Sequence, residues 1–424
     1  MVPHNKQMNA RPKLRWPLDI QLINLDSTGA TTEQALIVQC PLGVSQKPLF
    51  LVPAVGQILS SLEGELSCEE LLARFAPQGL RRETLNELVQ LLDDHLFLAN
   101  ARYFAAEQDM KDAYRTLAVR PPALAGLSYP EQADRLEGLI DGFLVRDANV
   151  SSSEELRCLV APHIDYRRGG SCYGQIYPHL SASRATTYIL MGTAHQYSRH
   201  MFHLSAKDFE SPLGRLPCDT EAVAQVAHRY GVTRAFADEY LHKREHSLEL
   251  QLPFISRVKP GVAILPILVG SFHKAVASGR SPEEFEEYAS FVGALREVLA
   301  EKIRNGEQIC FIAGVDMAHV GPQFGDTSPL SVEQMTRVAA RDREYLDAIA
   351  GHDCERVFSH IAEDGDARRI CGFPTMYTIL DILRGLGITV RSSFESYAQA
   401  ADYPGGCAVT FAGMALGSSK TQIS

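Results

Sequence analysis

From about residue 157 onward the chain alternates short apolar β-type runs with amphipathic helical ones, and three of the β-type runs lead into a histidine. Alternation of this kind builds a layered α/β fold around a sheet. The β-type runs are 157–161, 187–191, 262–269, 308–313, 388–392 and 407–412. The helical ones are 130–144, 219–230, 246–258, 282–304, 332–349 and 375–383. The first β-type run passes through Pro162 into His163, and Asp165, Tyr166, two arginines and Gly169-Gly170 follow. The paired glycines are expected to turn the chain tightly beside a bound group. Ligands of open α/β sheets bind at the carboxyl ends of the strands, so a histidine just past a strand end is a candidate ligand or base.

The same form recurs. The second run leads through Gly192-Thr193-Ala194 to His195, and the run at 308–313 leads to Asp316 and His319, three apart on a turn. Cys371-Gly372-Phe373-Pro374 opens a helix, where the dipole and free N–H groups are expected to favour a thiolate. In the helical stretch from Glu245 to Phe254, His246 and Glu249 share a face while Leu248 and Leu252 face the core. His246 or Glu245 can then reach a pocket formed by the strand ends. Twelve of the fourteen histidines lie beyond residue 150, so histidine chemistry belongs to this part of the chain. Imidazoles and a thiolate converging on one edge suit a mononuclear transition metal, for which both are preferred ligands.

A chain of 424 residues is too long for one ordinary core, and two or three domains are expected. A net charge of −10 argues against a surface that tracks nucleic-acid phosphates. The longest plainly apolar run, 262–270, is about half of a membrane span. Residues 1–13 have no apolar core of the signal-peptide kind. Nine cysteines without paired spacing suit a reducing cytosol, so a cytoplasmic location with no membrane partner is expected.

Residues 1–16 are polar and are expected to form a flexible tail. Residues 17–104 have a different character: three β-type runs (20–25, 35–39 and 49–52) precede three helical patterns. Ser67 and Glu70 have capping-box spacing, and Leu85, Leu88, Leu91, Leu92 and Leu96 recur at helical intervals. Residues 105–120 read as a linker helix that ends at Pro121-Pro122, and 121–418 as the main α/β domain. The 17–104 segment holds eleven acidic and five basic residues (11 − 5 = 6 net negative), which points to protein or peptide contact and away from DNA. Through L-S-S-L-E-G-E-L-S-C-E-E-L and L-L-D-D-H-L-F-L it resembles small winged-helix units, in particular the PqqD-like peptide-recognition domains.

Five motifs in order, A-P-H-I-D-Y, G-T-A-H, E-H-S-L-E-L-Q-L-P-F, D-M-A-H-V-G and C-G-F-P, resemble the MEMO family. That family includes protein B of the AmmeMemoRadiSam system. The resemblance runs from near Pro121 to about Gly417 and implies an α/β fold like the class III extradiol dioxygenases. Carried over by position, it implies metal ligation by His163, His195 and Cys371, with Asp316 and His319 nearby and His246 facing the pocket; Asp316 and His319 are expected to line or complete the site and His246 to serve as a proton donor or acceptor. Where animal members have Ala-Gly-Tyr after the first histidine, this chain has Ile164-Asp165-Tyr166, and His195 stands singly before Gln196. The dioxygenases complete their iron site with a carboxylate where this chain has Cys371, so ring cleavage is not implied. A thiolate favours copper, zinc or a differently tuned iron. The expected activity is redox chemistry at one copper or iron ion, zinc being possible, on an unidentified and possibly peptide substrate. Radical-SAM and AMMECR-like proteins are the expected partners. A peptide-binding module without catalysis and a metal-assisted hydrolase are the alternatives.

Overall fold

The computed structural model describes residues 10–25, 33–45, 47–145, 154–403 and 405–418. The chain divides between Thr116 and Leu117 into two compact units.

In the first unit three antiparallel strands pair in the order β1 (Asp19–Leu25), β2 (Glu33–Gln39), β3 (Leu49–Leu51). Three longer helices follow: α1 (Cys68–Phe75), α2 (Arg82–Asp94) and α3 (Ala101–Arg115). Ser67 caps α1 with a complete capping box, its hydroxyl accepting from the Glu70 N–H while the Glu70 carboxylate accepts from the Ser67 N–H. Leu71, Leu85, Leu88 and Leu92 pack with Val38 and Leu49 into one core. Most of residues 1–16 lies outside the described segments, but its last part is not a tail. Leu14 N–H donates to Leu62 O, Arg15 N–H donates to Phe97 O, and the Arg15 guanidinium donates to Leu96 O. Those bonds hold a polar stretch that composition alone leaves free.

The second unit is a mixed α/β structure around a large sheet. Its central strands are parallel, in the order β5 (Glu155–Ala161), β11 (Ile309–Gly314), β6 (Thr187–Thr193), β10 (Ile264–Val269). Antiparallel β7 (Phe202–Leu204) closes one side. On the other, β14 (Cys407–Ser418) pairs antiparallel with β5, with β13 (Arg391–Asp402) and with the short β12 (His319–Val320). A separate small sheet joins β4 (Val119–Arg120), β8 (Asp208–Ser211) and β9 (Gly214–Leu216). Alternate residues of the buried strands serve opposite faces. Val160, Met191, Ile267 and Ala313 enter one core, shared with the helices Thr220–Tyr230 and Glu286–Arg304. The other face meets α5 (Tyr166–Ser181), whose Tyr173 and Tyr177 rings stack on Phe254 at 5.0 and 4.9 Å between centroids.

Helix α5 corrects one expectation. Gly169 and Gly170 do not turn the chain; they lie inside the helix, which Asp165 caps by accepting from the Arg168 N–H. Their absent side chains make room. A Cβ on Gly170 would sit 2.3 Å from the Phe143 ring, and one on Gly174 would sit 1.8 Å from Phe143 O. Phe143 ends helix α4 (Ala133–Phe143), so the glycines let α4 and α5 approach closely. The helix expected at 246–258 is broken into α6 (His246–Glu249) and α7 (Leu252–Val258). Pro253 has no N–H to donate to Glu249 O, so the helical ladder is interrupted there. Of the β-type run at 388–392 only the end is strand, and β13 extends it to Asp402.

Candidate metal centre

Ala161, Gly314 and Gly192 are in register across β5, β11 and β6. His163 and His195 therefore leave neighbouring points on the carboxyl edge of the sheet. Helix α6 lies directly across that edge and adds His246. A Cβ on Gly314 would fall 2.0 Å from Ser247 O, and one on Gly192 would fall 2.5 Å from Ser247 Oγ. Only glycines at these two strand ends let the α6 backbone come so near. Ser247 fixes the contact by donating to Thr193 O at 2.8 Å. Gln251 donates to Pro162 O, just before His163, at 2.9 Å.

The result is a cluster of three imidazoles. The potential ligand atoms of His163, His195 and His246 all lie within 4.8 Å of one another. Ring centroids are 4.8 Å apart for His163 and His195, 5.0 Å for His163 and His246, and 4.3 Å for His195 and His246. His163 is buried, His246 half-buried and His195 exposed, so the cluster is open on one side.

In each ring the Nδ1 is already committed. His163 Nδ1 faces Gly314 O at 3.0 Å, and a carbonyl only accepts, so this nitrogen carries the proton. His195 Nδ1 and His246 Nδ1 face the same oxygen of Glu245, at 2.8 and 3.2 Å. Glu245 also accepts the His195 and Ser247 N–H groups. Burial would raise the Glu245 carboxyl, but the two imidazoles outweigh it and hold the group well below its ordinary value. A carboxylate held ionised keeps both rings donating through Nδ1. Each ring keeps its Nε2, that of His163 facing the Cys371 Sγ at 3.2 Å, in the arrangement that metal-binding histidines adopt when outer acceptors set their tautomer.

The same environment sets the charges. Burial, then the neighbouring His195 and His246, push the His163 pKa well below normal, so the ring is neutral and able to ligate. Burial opposes charging His246, but Glu245, Asp316 and Glu249 raise its pKa. Asp316 is pushed up to about 7, chiefly by burial. Its Oδ1 accepts from the His163 N–H at 2.8 Å, and its Oδ2 stands 3.7 Å from His163 Nε2.

The structure thus joins His163 and His195 with His246, which the sequence reading expected as a proton-transfer group. Cys371 is beside the cluster, its Sγ 3.2 Å from His163 Nε2, but is not one of the three grouped ligands. Its expected thiolate is also corrected. Burial, then the Asp316 and Glu245 carboxylates, push the thiol well above its ordinary value. Cys371 precedes Gly372, the cap of helix α8 (Phe373–Gly385), so it stands outside the first turn and those effects outweigh the dipole. His319 begins β12, and its Nδ1 faces the carbonyls of Met317 and Arg369 at 3.0 and 3.1 Å. It too is not one of the three grouped residues. Glu249 points away from the centre: buried, it pairs with Arg120 at 2.5 Å and accepts the N–H groups of Ala123 and Leu124 and the Tyr129 hydroxyl. Glu245 reaches the strand-end pocket as expected, and what the sequence did not specify is that it serves as one acceptor shared by two rings. Its only signal in the sequence is its place directly before His246.

The family model described as Memo-like protein matches residues 120–415, more than half of the chain. The chain belongs to the Memo-like family. A MEMO1 family protein of Aquifex aeolicus is 27% identical over 383 residues, covering 89% of this chain and 95% of the relative. Such a match is longer than the second unit and reaches into the first. A MEMO1 family protein of Thermus thermophilus is 28% identical over 317 residues, covering 74% of this chain and 88% of the relative. One of Methanosarcina barkeri is 27% identical over 294 residues, covering 68% and 95%. The Memo-like match contains all three clustered histidines, Glu245, Asp316 and Cys371. Among the described residues no helix is long and apolar enough to cross a membrane.

Proposed function

We propose that this Memo-like protein binds one transition metal ion through His163, His195 and His246 and uses it in redox chemistry on a small or peptide-borne substrate. The observation that carries the reading is the commitment of all three Nδ1 atoms to outer acceptors in a cluster whose potential ligand atoms lie within 4.8 Å of one another, which leaves the Nε2 atoms for an ion. Copper and iron suit an imidazole site with a sulfur beside it, and zinc is the non-redox alternative. When bound, such an ion supplies a Lewis-acidic, redox-capable centre with positions left open for substrate.

The chain's own groups have separable tasks. Glu245 orients two rings and compensates their positive edge. Asp316, with a pKa of about 7, accepts or returns a proton near His163 at neutral pH. Cys371 is a neutral thiol that can approach the ion as a fourth ligand on losing its proton. A class III extradiol dioxygenase-like fold for the second unit belongs to the same proposal.

For the first unit we propose a winged-helix, PqqD-like module that contacts a peptide or protein, with radical-SAM and AMMECR-like proteins as partners. Exposed Ile20, Leu22 and Phe50 on its strands, Val52 just past the third, and its acidic balance support a protein-contact role. The cytoplasm is the proposed location. Asp316 near neutrality also favours a second reading, hydrolysis by metal-activated water, in which it serves as general base.

The test is elemental analysis of anaerobically purified protein, wild type beside His163→Ala and Cys371→Ala. Near-stoichiometric copper or iron that is lost in His163→Ala supports the redox centre, and the Cys371→Ala result shows whether sulfur is a ligand. Zinc selects the hydrolase. No metal, even after reconstitution, overturns both and leaves a peptide-binding module.

A further inference from the structure

The three imidazoles are only part of the chemistry at the sheet edge. Asp316 and His319 stand on one turn, and Cys371 stands on a separate segment between the helix Cys354–Ala362 and α8. These two pieces of chain are bonded to each other. His319 N–H donates to Arg368 O at 2.7 Å, and Gly372 N–H donates to Asp316 O at 3.1 Å. The Cys371 segment is strained, since Asp366 and Arg369 have φ of 58° and 52°, in the left-handed region that side chains rarely adopt. A backbone of this kind persists only where its surroundings enforce it.

The enforcing side chains are the neighbours Arg368 and Arg369. Arg369 donates to His319 O and to Asp326 at 3.1 and 2.7 Å. Those two side chains are 39% and 22% exposed, and pairs open to solvent contribute little. Arg368 is buried instead. Its Nη2 donates to His360 Nε2 at 2.6 Å, and its Nη1 donates to Asp342 Oδ1 at 2.5 Å. Asp342 lies on the helix Val332–Ala350 and is fully buried. Its other oxygen accepts the hydroxyls of Thr410 and Tyr397 at 2.6 and 2.9 Å. The Thr410 hydroxyl in turn accepts the Ala318 N–H at 2.9 Å. One buried carboxylate therefore holds the Cys371 segment through Arg368 and the Asp316–His319 turn through Thr410.

We propose that Asp342 is the positioning residue for the sulfur side of the centre, keeping Cys371 beside His163, where the thiol can meet an ion held by the imidazoles. Glu245 orders the histidines, and Asp342 orders the groups around them. Its bearing on an ion rests on the metal-centre reading; its hold on Cys371 rests on the buried contacts alone. Cys371 has one further tie, its carbonyl accepting the Thr193 hydroxyl at 2.9 Å, so loss of Asp342 loosens the segment without freeing it.

The test alkylates the metal-free full chain with iodoacetamide at one fixed pH and follows each cysteine by peptide mass spectrometry. Asp342→Asn removes the charge opposite the buried Arg368, which is strongly unfavourable for that guanidinium. The fully buried Cys310 reports general opening, and Gly174→Ala is a control destabilised at the α4–α5 contact instead. In Asp342→Asn the Cys371 rate is expected to rise about tenfold, the change that about 1.4 kcal/mol of local weakening brings, with Cys310 unchanged and Gly174→Ala like wild type. The same proteins are then loaded with Co(II). One ion per chain is expected in each, with the thiolate-to-cobalt charge-transfer band of wild type weakened in Asp342→Asn. Should Asp342→Asn fail to fold, Arg368→Lys, which keeps the charge and loses the planar fork, is read in the same way. An unchanged Cys371 rate, an equal rise at Cys310 or in Gly174→Ala, cobalt bound by wild type without the band, or a band left intact by Asp342→Asn each overturns the proposal. A selective rise at Cys371 in a protein that takes up no cobalt upholds the hold on Cys371 and removes the metal-centre reading.

Discussion

Glu245 receives His195 twice, at the backbone N–H and at the ring Nδ1, at 2.9 and 2.8 Å. One carboxylate thereby fixes the position of the strand-end loop and the tautomer of the imidazole it carries, and the same oxygen engages His246.

Glu245→Gln keeps the shape of this acceptor, removes its charge and puts donor hydrogens on one side. We expect metal affinity to fall by about 10- to 100-fold, the usual effect of losing an outer partner of ligating histidines. Competition with a chromogenic chelator measures it. Unchanged affinity would mean that the cluster does not depend on the shared carboxylate.

The buried Asp316 gives a pH signature. Its folded pKa, about 7, lies above the ordinary 3.8, so the unfolded chain releases this proton first. Between about pH 4 and about pH 7 the side chain therefore erodes stability as pH rises. Asp316→Asn still accepts from the His163 N–H and does not titrate. In metal-free protein the stability of the variant relative to wild type should climb through that window and level off above it. Urea unfolding at a series of pH values checks this, and a flat difference would refute the raised pKa. The comparison must be differential, because the lowered pKa of His163 works in the opposite sense.

Glu249→Gln tests the pair buried behind α6. It leaves the fully buried Arg120 guanidinium without its counter-charge, a change that typically costs about 3–5 kcal/mol. Arg120 also donates to the carbonyls of His242 and Glu245, so the loss should loosen the start of α6. The expected result is a lower unfolding midpoint accompanied by weaker metal binding. A stability loss with metal affinity intact would show that the pair does not position His246.

Gly174→Ala places a methyl where Phe143 O already stands, 1.8 Å away. Overpacking of this sort costs about 1–3 kcal/mol even where neighbours can shift. Thermal unfolding should show it, whereas Gly138→Ala, with open space around its Cβ position, should not be destabilised in this way.

The alternating pattern was legible because buried parallel strands are nearly continuous apolar runs and amphipathic helices repeat their apolar face. The cores of β5, β6, β10 and β11 were found that way, within a few residues at each end. So were His163 and His195, because a histidine directly after such a run marks the edge of the sheet. Gly169 and Gly170 misled for a physical reason. Glycine serves both tight turns and close packing, and for Gly170 the choice depends on Phe143, more than twenty residues away in sequence, while for Gly169 it depends on the Ile164 side chain. β13 was mostly missed because its polar, half-exposed residues show no apolar run.

The sequence by itself determined the layered α/β architecture of the second unit, its Memo-like membership and the strand-end loops that hold His163 and His195. Tertiary structure alone decided which side chains group into the candidate metal centre. His246 and not Cys371 joins the other two imidazoles because Gly192 and Gly314 admit α6 onto the strand ends. It also decided the charges, since Glu245 is ionised, Asp316 lies near neutrality and Cys371 is a thiol only through burial and through neighbours distant in the chain. Sequence spacing encodes local periodicity, whereas distance and desolvation between remote residues exist only once the chain has folded.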